Sequence, residues 1–149
     1  MKLLVVCHAN VCRSPMAESV LRRSVGHIDG FVVDSAGISG AVGEKMHPLT
    51  ARALRERNYD VASSTAKLLL GGNVAWADLV FVMDKEQRRQ LITRFPAASG
   101  KIWLLGHWIN IEVKDPVTGN YEVFKATLDT IEKAVLSWLP ALRVKKNKG

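Results

Sequence analysis

The run Leu3-Leu4-Val5-Val6 limits the possible folds more than any other feature. Four apolar residues with no polar break cannot alternate between a core and solvent, so they describe a strand buried on both faces. Strands of that kind belong to parallel sheets, whose crossover connections lay helices over both sides. The residues after Val6 agree with this. Cys7-His8-Ala9-Asn10-Val11-Cys12-Arg13-Ser14 is a short turn, and Ser14-Pro15 reads as a helix start, with serine at the cap and proline at the first position.

The alternation of strand and helix continues along the chain. Ala17, Val20, Leu21 and Ser24 share one helical face, with Gly26 as the stop. Phe31-Val32-Val33 is a second strand, and Ser35 to Gly43, with its three glycines, reads as loop. His47-Pro48 opens a helix running to about Asn58. Leu79 to Met83 is a third apolar strand, Asp84 caps a helix that Pro96 ends, and Lys101 to Leu105 is a fourth strand. Phe124, Leu128, Ile131, Val135 and Leu139 recur at helical spacing in a last helix that Pro140 ends or kinks. The expected architecture is α/β: a four-stranded parallel sheet with helices on both faces. Right-handed crossovers then place the loop after the first strand at the carboxyl edge of the sheet, where such folds bind ligands.

The 149 residues suit one domain over 1–142, followed by a basic tail over 143–149. The formal charge is +7, and Arg143, Lys145, Lys146 and Lys148 lie in that tail. It reads either as a solvated, disordered end or as a docking arm for an acidic partner or a membrane surface. No stripe of aromatic and basic residues points to nucleic acid. No apolar run reaches the roughly 18–20 residues of a membrane span. The apolar start is too short for a secretory signal and is followed at once by Arg13, so a cytoplasmic protein is expected. Two cysteines five positions apart, with scattered histidines, do not suggest a disulfide framework or a structural zinc site.

The chemistry is concentrated between Val6 and Pro15. Backbone amides of a tight strand-to-helix turn can converge on an anion, and the helix start adds unpaired N–H groups and positive potential. Arg13 adds a planar fork that grips two phosphate oxygens. Cys7, at the strand end, faces this cradle, where the same groups stabilise a thiolate. A thiolate beside a bound phosphate is a nucleophile for phosphoryl transfer. The departing oxygen needs a proton, and Asp115-Pro116, in the loop before the last helix, lies at the same sheet edge.

These residues bring a family into view. The chain resembles the low-molecular-weight protein tyrosine phosphatases over nearly its whole length. The stretches that carry this are Cys7 to Pro15, Asp34-Ser35-Ala36-Gly37, Ala77 to Asp84, Gly100 to Gly106 and Asp115-Pro116. Gly106-His107-Trp108 and the last helix are most similar to the bacterial branch associated with capsule and exopolysaccharide export. The resemblance implies the phosphotyrosine phosphatase I-like fold, tyrosine dephosphorylation through a cysteinyl-phosphate, and neither metal nor cofactor. It implies a phosphotyrosine protein as partner and, in that branch, a tyrosine autokinase. Cys7 is then the nucleophile, Arg13 the phosphate ligand, and Asp115 the acid and later the base. Ser14 donates to the Cys7 thiolate, while Asn10, helped by Ser35, holds the loop in a left-handed conformation that asparagine tolerates. Cys12 becomes a reversible disulfide partner of Cys7.

The chain departs from the family pattern in several places. Ala9 replaces a glycine, His8 a small or aliphatic residue, Ser64 a supporting histidine and Lys67 an arginine. Val117 and Thr118 stand where tyrosines usually wall the substrate slot, and Ala41 is small on the opposite side. An altered substrate pocket with His8, Ala41, Val117 and Thr118 at its rim is therefore expected. Three other readings remain. An arsenate reductase needs further cysteines, and none follow Cys12. An arginine phosphatase usually has threonine where Val11 stands. A catalytically weak phosphate-binding or regulatory module on the same fold differs only in turnover.

Overall fold

The structure is a computed structural model. It describes the backbone at positions 1–39, 42–61 and 65–148, and side chains through 142. Ala41 and Ser64 lie outside the described residues, as do the side chains of the expected basic tail.

Four parallel strands form one sheet: β1 (Lys2–Cys7), β2 (Val32–Gly37), β3 (Leu79–Val82) and β4 (Ile102–Leu104), in the order β2-β1-β3-β4. The helices are α1 (Arg13–Val25), α2 (Pro48–Glu56), α3 (Gly71–Trp76), α4 (Lys85–Arg94) and α5 (Tyr121–Lys148). Residues alternate across each strand into two cores. Leu3, Val5, Leu79 and Phe81 pack with α1, α2 and α5, while Leu4, Val6, Val80 and Val82 pack with α3 and α4. Leu3 through Val6 are wholly inaccessible, which explains their unbroken apolar run. Burying each contributes about 1.5–3 kcal/mol. Among the described residues, no helix is long and apolar enough to cross a membrane.

The strand order places the functional loops. The chain passes from β1 outward to β2, then returns across β1 to β3. The carboxyl ends of β1 and β3 therefore flank the point where the winding reverses, the crevice in which open α/β sheets hold ligands. Cys7 ends β1, and Asp84 comes just after β3.

Two local expectations are corrected and a third is narrowed. Ser35 to Gly37 are strand, not loop, paired with Val5 to Cys7. Small residues are needed here because the turn after β1 lies against this strand: a Cβ on Gly37 would come 2.9 Å from the Ala9 carbonyl carbon. Ser14 does not cap α1. The cap residue is Cys12, with no side-chain hydrogen bond, and Ser14 and Pro15 lie in the first turn. The last helix does not end at Pro140. The carbonyl a proline leaves without a partner is four residues back, at Leu136, which is exposed. Asp84 does cap α4 as expected, its Oδ1 accepting from Gln87 N at 2.8 Å. His47 caps α2 through Nδ1, and the short helix α3 is an element the sequence pattern does not announce.

Candidate active site

The turn after β1 is held by a hydrogen-bond chain with a definite direction. Asn10 sits in the left-handed region at φ 61°, which lets the backbone reverse between strand and helix. Its N–H points back at Cys7 Sγ, 3.3 Å away. Its side-chain Nδ2 donates to both Ser14 Oγ (2.8 Å) and Ser35 Oγ (2.9 Å), and its Oδ1 accepts from Lys67 N (3.1 Å). Every polar atom of the Asn10 amide is therefore used.

Those donations fix the hydroxyls. Ser14 Oγ accepts a hydrogen bond from Asn10, so its own proton is free for Cys7 Sγ at 3.0 Å. Ser35 likewise receives from Asn10 and donates to Glu18 Oε1, a buried carboxylate that also pairs with Arg22 Nη1 at 2.5 Å. With the Glu18 carboxylate accepting at one end and Cys7 as an accepting thiolate at the other, the network has one arrangement of protons, with the Ser14 O–H aimed at sulfur. Glu18 carries little signal in the sequence: only its position beside the apolar face of α1 and its spacing of four from Arg22 mark it.

Arg13, at the first position of α1, is buried. Its Nη1 donates to the carbonyl of Val113 at 2.8 Å and lies 3.5 Å from Asp84 Oδ2, while Nη2 lies 3.9 Å from Asp115 Oδ2. Asp84 therefore works twice, as helix cap through one oxygen and as a guide for Arg13 through the other. The second task is invisible in the sequence. The segment carrying Val113 and Asp115 is brought in by a close backbone approach: a Cβ on Gly106 would meet the Ile111 carbonyl oxygen at 2.2 Å. Val113 N then donates to Met83 O (2.9 Å), at the end of β3. Asp115 Oδ1 accepts from Val117 N at 3.1 Å, an Asx turn that sets the carboxyl direction.

Cys7, His8, Ala9, Val11, Cys12, Arg13, Asp115 and Val117 line one cavity of about 190 Å³. The sequence-derived set of nucleophile, cradle and acid is thus brought together. Ala9 is not among the residues with positive φ, so its methyl group meets no backbone penalty. His8 is exposed at the mouth, with Nε2 3.2 Å from Ser39 Oγ. Val117 is about half exposed, and Thr118 is exposed but is not part of the lining. Both cysteines are free and buried, and burial pushes the Cys12 thiol up to about 12.

Comparison with known proteins agrees with this geometry. The family model described as low molecular weight phosphotyrosine protein phosphatase matches residues 2–148. A relative from Ralstonia nicotianae, named as a probable low molecular weight protein-tyrosine-phosphatase EpsP, is 35% identical over 141 residues, covering 95% of each chain. The crystal structure of the Erwinia amylovora tyrosine phosphatase AmsI superposes with a TM-score of 0.88 at 30% identity, covering 94% of this chain and 91% of that one. The YwlE arginine phosphatase of Geobacillus stearothermophilus superposes with a TM-score of 0.91 at 27% identity, covering 99% and 96%. The nucleophile loop, the buried arginine and the aspartate loop thus sit in a chain that matches one family along almost its entire length, and this protein belongs to the low molecular weight phosphotyrosine protein phosphatases.

Proposed function

We propose that Cys7 Sγ attacks the phosphorus of a phosphotyrosine side chain in line with the ester oxygen, which leaves as the phenol. The loop amides and Arg13 bind the three remaining phosphate oxygens, and their fixed positive potential favours the charge of the transferring group. Asp115 delivers a proton to the departing oxygen, then takes one from water as that water attacks the cysteinyl-phosphate and releases inorganic phosphate. Ser14 and the Asn10 amide donate to the sulfur and stabilise it as the thiolate, both as nucleophile and as second leaving group. The observation that carries this reading is the hydrogen-bond network that runs outward from the Asn10 side chain, through Ser35 to Glu18 and through Ser14 to Cys7 Sγ. Its test is phosphate release from p-nitrophenyl phosphate. The wild type turns over and Cys7→Ser does not; equal rates from both remove the enzyme reading and leave a phosphate-binding module.

Tyrosine rather than arginine is the substrate because Val11 presents an apolar branched side chain to the cavity, where an N-phosphorylated guanidinium needs a polar partner. The pocket wall is altered: His8 and Val117 stand at its mouth in place of an aromatic slot. The partner is a phosphotyrosine protein, and the similarity to EpsP and to the capsule and exopolysaccharide branch points to a tyrosine autokinase of polysaccharide export, in the cytoplasm. Under peroxide, Cys12 closes a reversible disulfide on Cys7 and protects it from irreversible oxidation.

A further inference from the structure

Thr50, in the first turn of α2, is wholly buried, and its Oγ1 has no hydrogen-bond partner among the described residues. A buried hydroxyl left unpaired is destabilising, so its presence needs a reason. The start of α2 is pinned to the phosphate loop: His47 N donates to the Val11 carbonyl at 2.9 Å, one residue before Cys12. Thr50 lies three positions further into that helix. Its hydroxyl acts on Cys12, lowering a thiol pKa that burial, the larger effect, raises to about 12. Thr50 Oγ1 makes no hydrogen bond to the neutral thiol, and the direction of its effect is to favour the Cys12 anion. Cys7 and the nearby carboxylate of Asp115 act the other way, raising the thiol, while Arg13 lowers it.

We propose that Thr50 is a positioning residue for Cys12, donating a hydrogen bond to its sulfur in the thiolate form whenever a Cys7–Cys12 disulfide closes or opens. This rests on the disulfide reading above. In closure, hydrogen peroxide converts the Cys7 thiolate to a sulfenic acid and is itself reduced to hydroxide. Cys12 sulfur then attacks Cys7 sulfur. The S–S bond forms, the S–O bond breaks, and the oxygen leaves as water with the Cys12 proton. In opening, an external thiolate attacks Cys7 Sγ. The S–S bond breaks with its electron pair going to Cys12, and a second thiol frees Cys7 from the mixed disulfide. In both directions Cys12 passes through an anionic sulfur within a dry site. A hydroxyl ready to donate raises the fraction of attacking thiolate and makes Cys12 a better leaving group. In the resting enzyme the Cys12 thiol stays neutral and does not compete with Cys7 for substrate.

The test compares wild type, Thr50→Val, Thr50→Ser and Cys12→Ala. Each is treated with hydrogen peroxide and then with dithiothreitol. Mass spectrometry measures Cys7 as disulfide or sulfinic acid, and p-nitrophenyl phosphate turnover measures recovery. Thr50→Val, which keeps the shape and removes the hydroxyl, retains the starting turnover. It closes and reopens the disulfide more slowly by on the order of tenfold, the value of a hydrogen bond to a charged group. More Cys7 is then lost as sulfinic acid. Thr50→Ser restores wild-type rates. Wild-type closure in Thr50→Val, or a Thr50→Ser variant as slow as Thr50→Val, overturns the proposal. If Cys12→Ala recovers as fully as wild type, the disulfide reading itself fails and the Thr50 role fails with it. If Cys12→Ala is impaired while Thr50→Val is not, only the Thr50 role is lost.

Discussion

The floor and the mouth of the cavity are built differently. At the floor, Asn10, Arg13, Ser14 and Ser35 are at most about 5% exposed, and each is fixed by hydrogen bonds to named partners. At the mouth, the His8 side chain has one hydrogen bond among the described residues, to an exposed serine, and Val117 is 48% exposed. The floor must hold donors in place while charge moves through sulfur and phosphate, so looseness there is costly. The mouth only sorts substrates, and residues there change without disturbing the chemistry. That difference explains how the chain can hold the proposed phosphoryl-transfer residues beneath a rim that departs from its family's pattern.

Each of four measurements bears on this contrast. The largest effect belongs to the acid loop, which spans floor and mouth. Asp115→Ala lowers turnover of aryl phosphates by about 10²–10⁴-fold and removes one limb of the pH profile. An unchanged rate takes Asp115 out of the mechanism. Next is Asn10→Ala, which deletes three side-chain hydrogen bonds, two of them buried, and a left-handed residue suited to its φ. Denaturant unfolding should show a loss of about 2–4 kcal/mol, together with a fall in turnover. A stable, fully active variant means the network does not organise the floor.

At the mouth, Val117→Tyr restores a wall for the substrate ring. Stacking of about 0.5–1.5 kcal/mol corresponds to a gain of about two- to tenfold in kcat/KM for phosphotyrosine peptides, carried by KM. A gain carried by kcat places residue 117 in the chemistry instead and breaks the contrast.

The smallest effect is on alkaline stability. Burial raises the folded Cys12 thiol from 9.0 to about 12, so between those values the unfolded chain releases its proton first. Stability from this group is complete below pH 9 and is lost as pH rises toward 12. Tyr59, raised from 10.0 to about 12 by burial and then by its hydrogen bond to Glu132, adds a similar loss between pH 10 and 12. Cys12→Ala keeps the tyrosine part and should show a shallower decline of stability over pH 9–12. Identical slopes mean Cys12 titrates alike in both states.

Much of the fold was legible because two periodicities are strong in this chain. The continuous apolar runs of β1 and β3 and the helical spacing from Phe124 to Leu139 follow from burial alone. Ser35-Ala36-Gly37 misled for a physical reason. Its small side chains resemble a loop, but they are small because the phosphate loop rests on that strand. Ser14 looked like a helix cap because serine usually is one before proline. Its hydroxyl serves sulfur instead, and Asn10 donates the hydrogen bond that orients it.

Strand, loop and helix start succeed one another within fifteen residues, so the sequence by itself determined the parallel α/β architecture and the nucleophile loop. It also singled out Cys7, Arg13 and Asp115, which the fold brings to one cavity. Only the tertiary structure decided how those groups are aimed. Val113, whose carbonyl orients Arg13, lies 100 positions away in the chain, and Glu18, Asp84 and Thr50 reach the loop from three different helices or their caps. Hydrogen-bond direction depends on which donors are already used elsewhere, and that is settled in space, not along the chain.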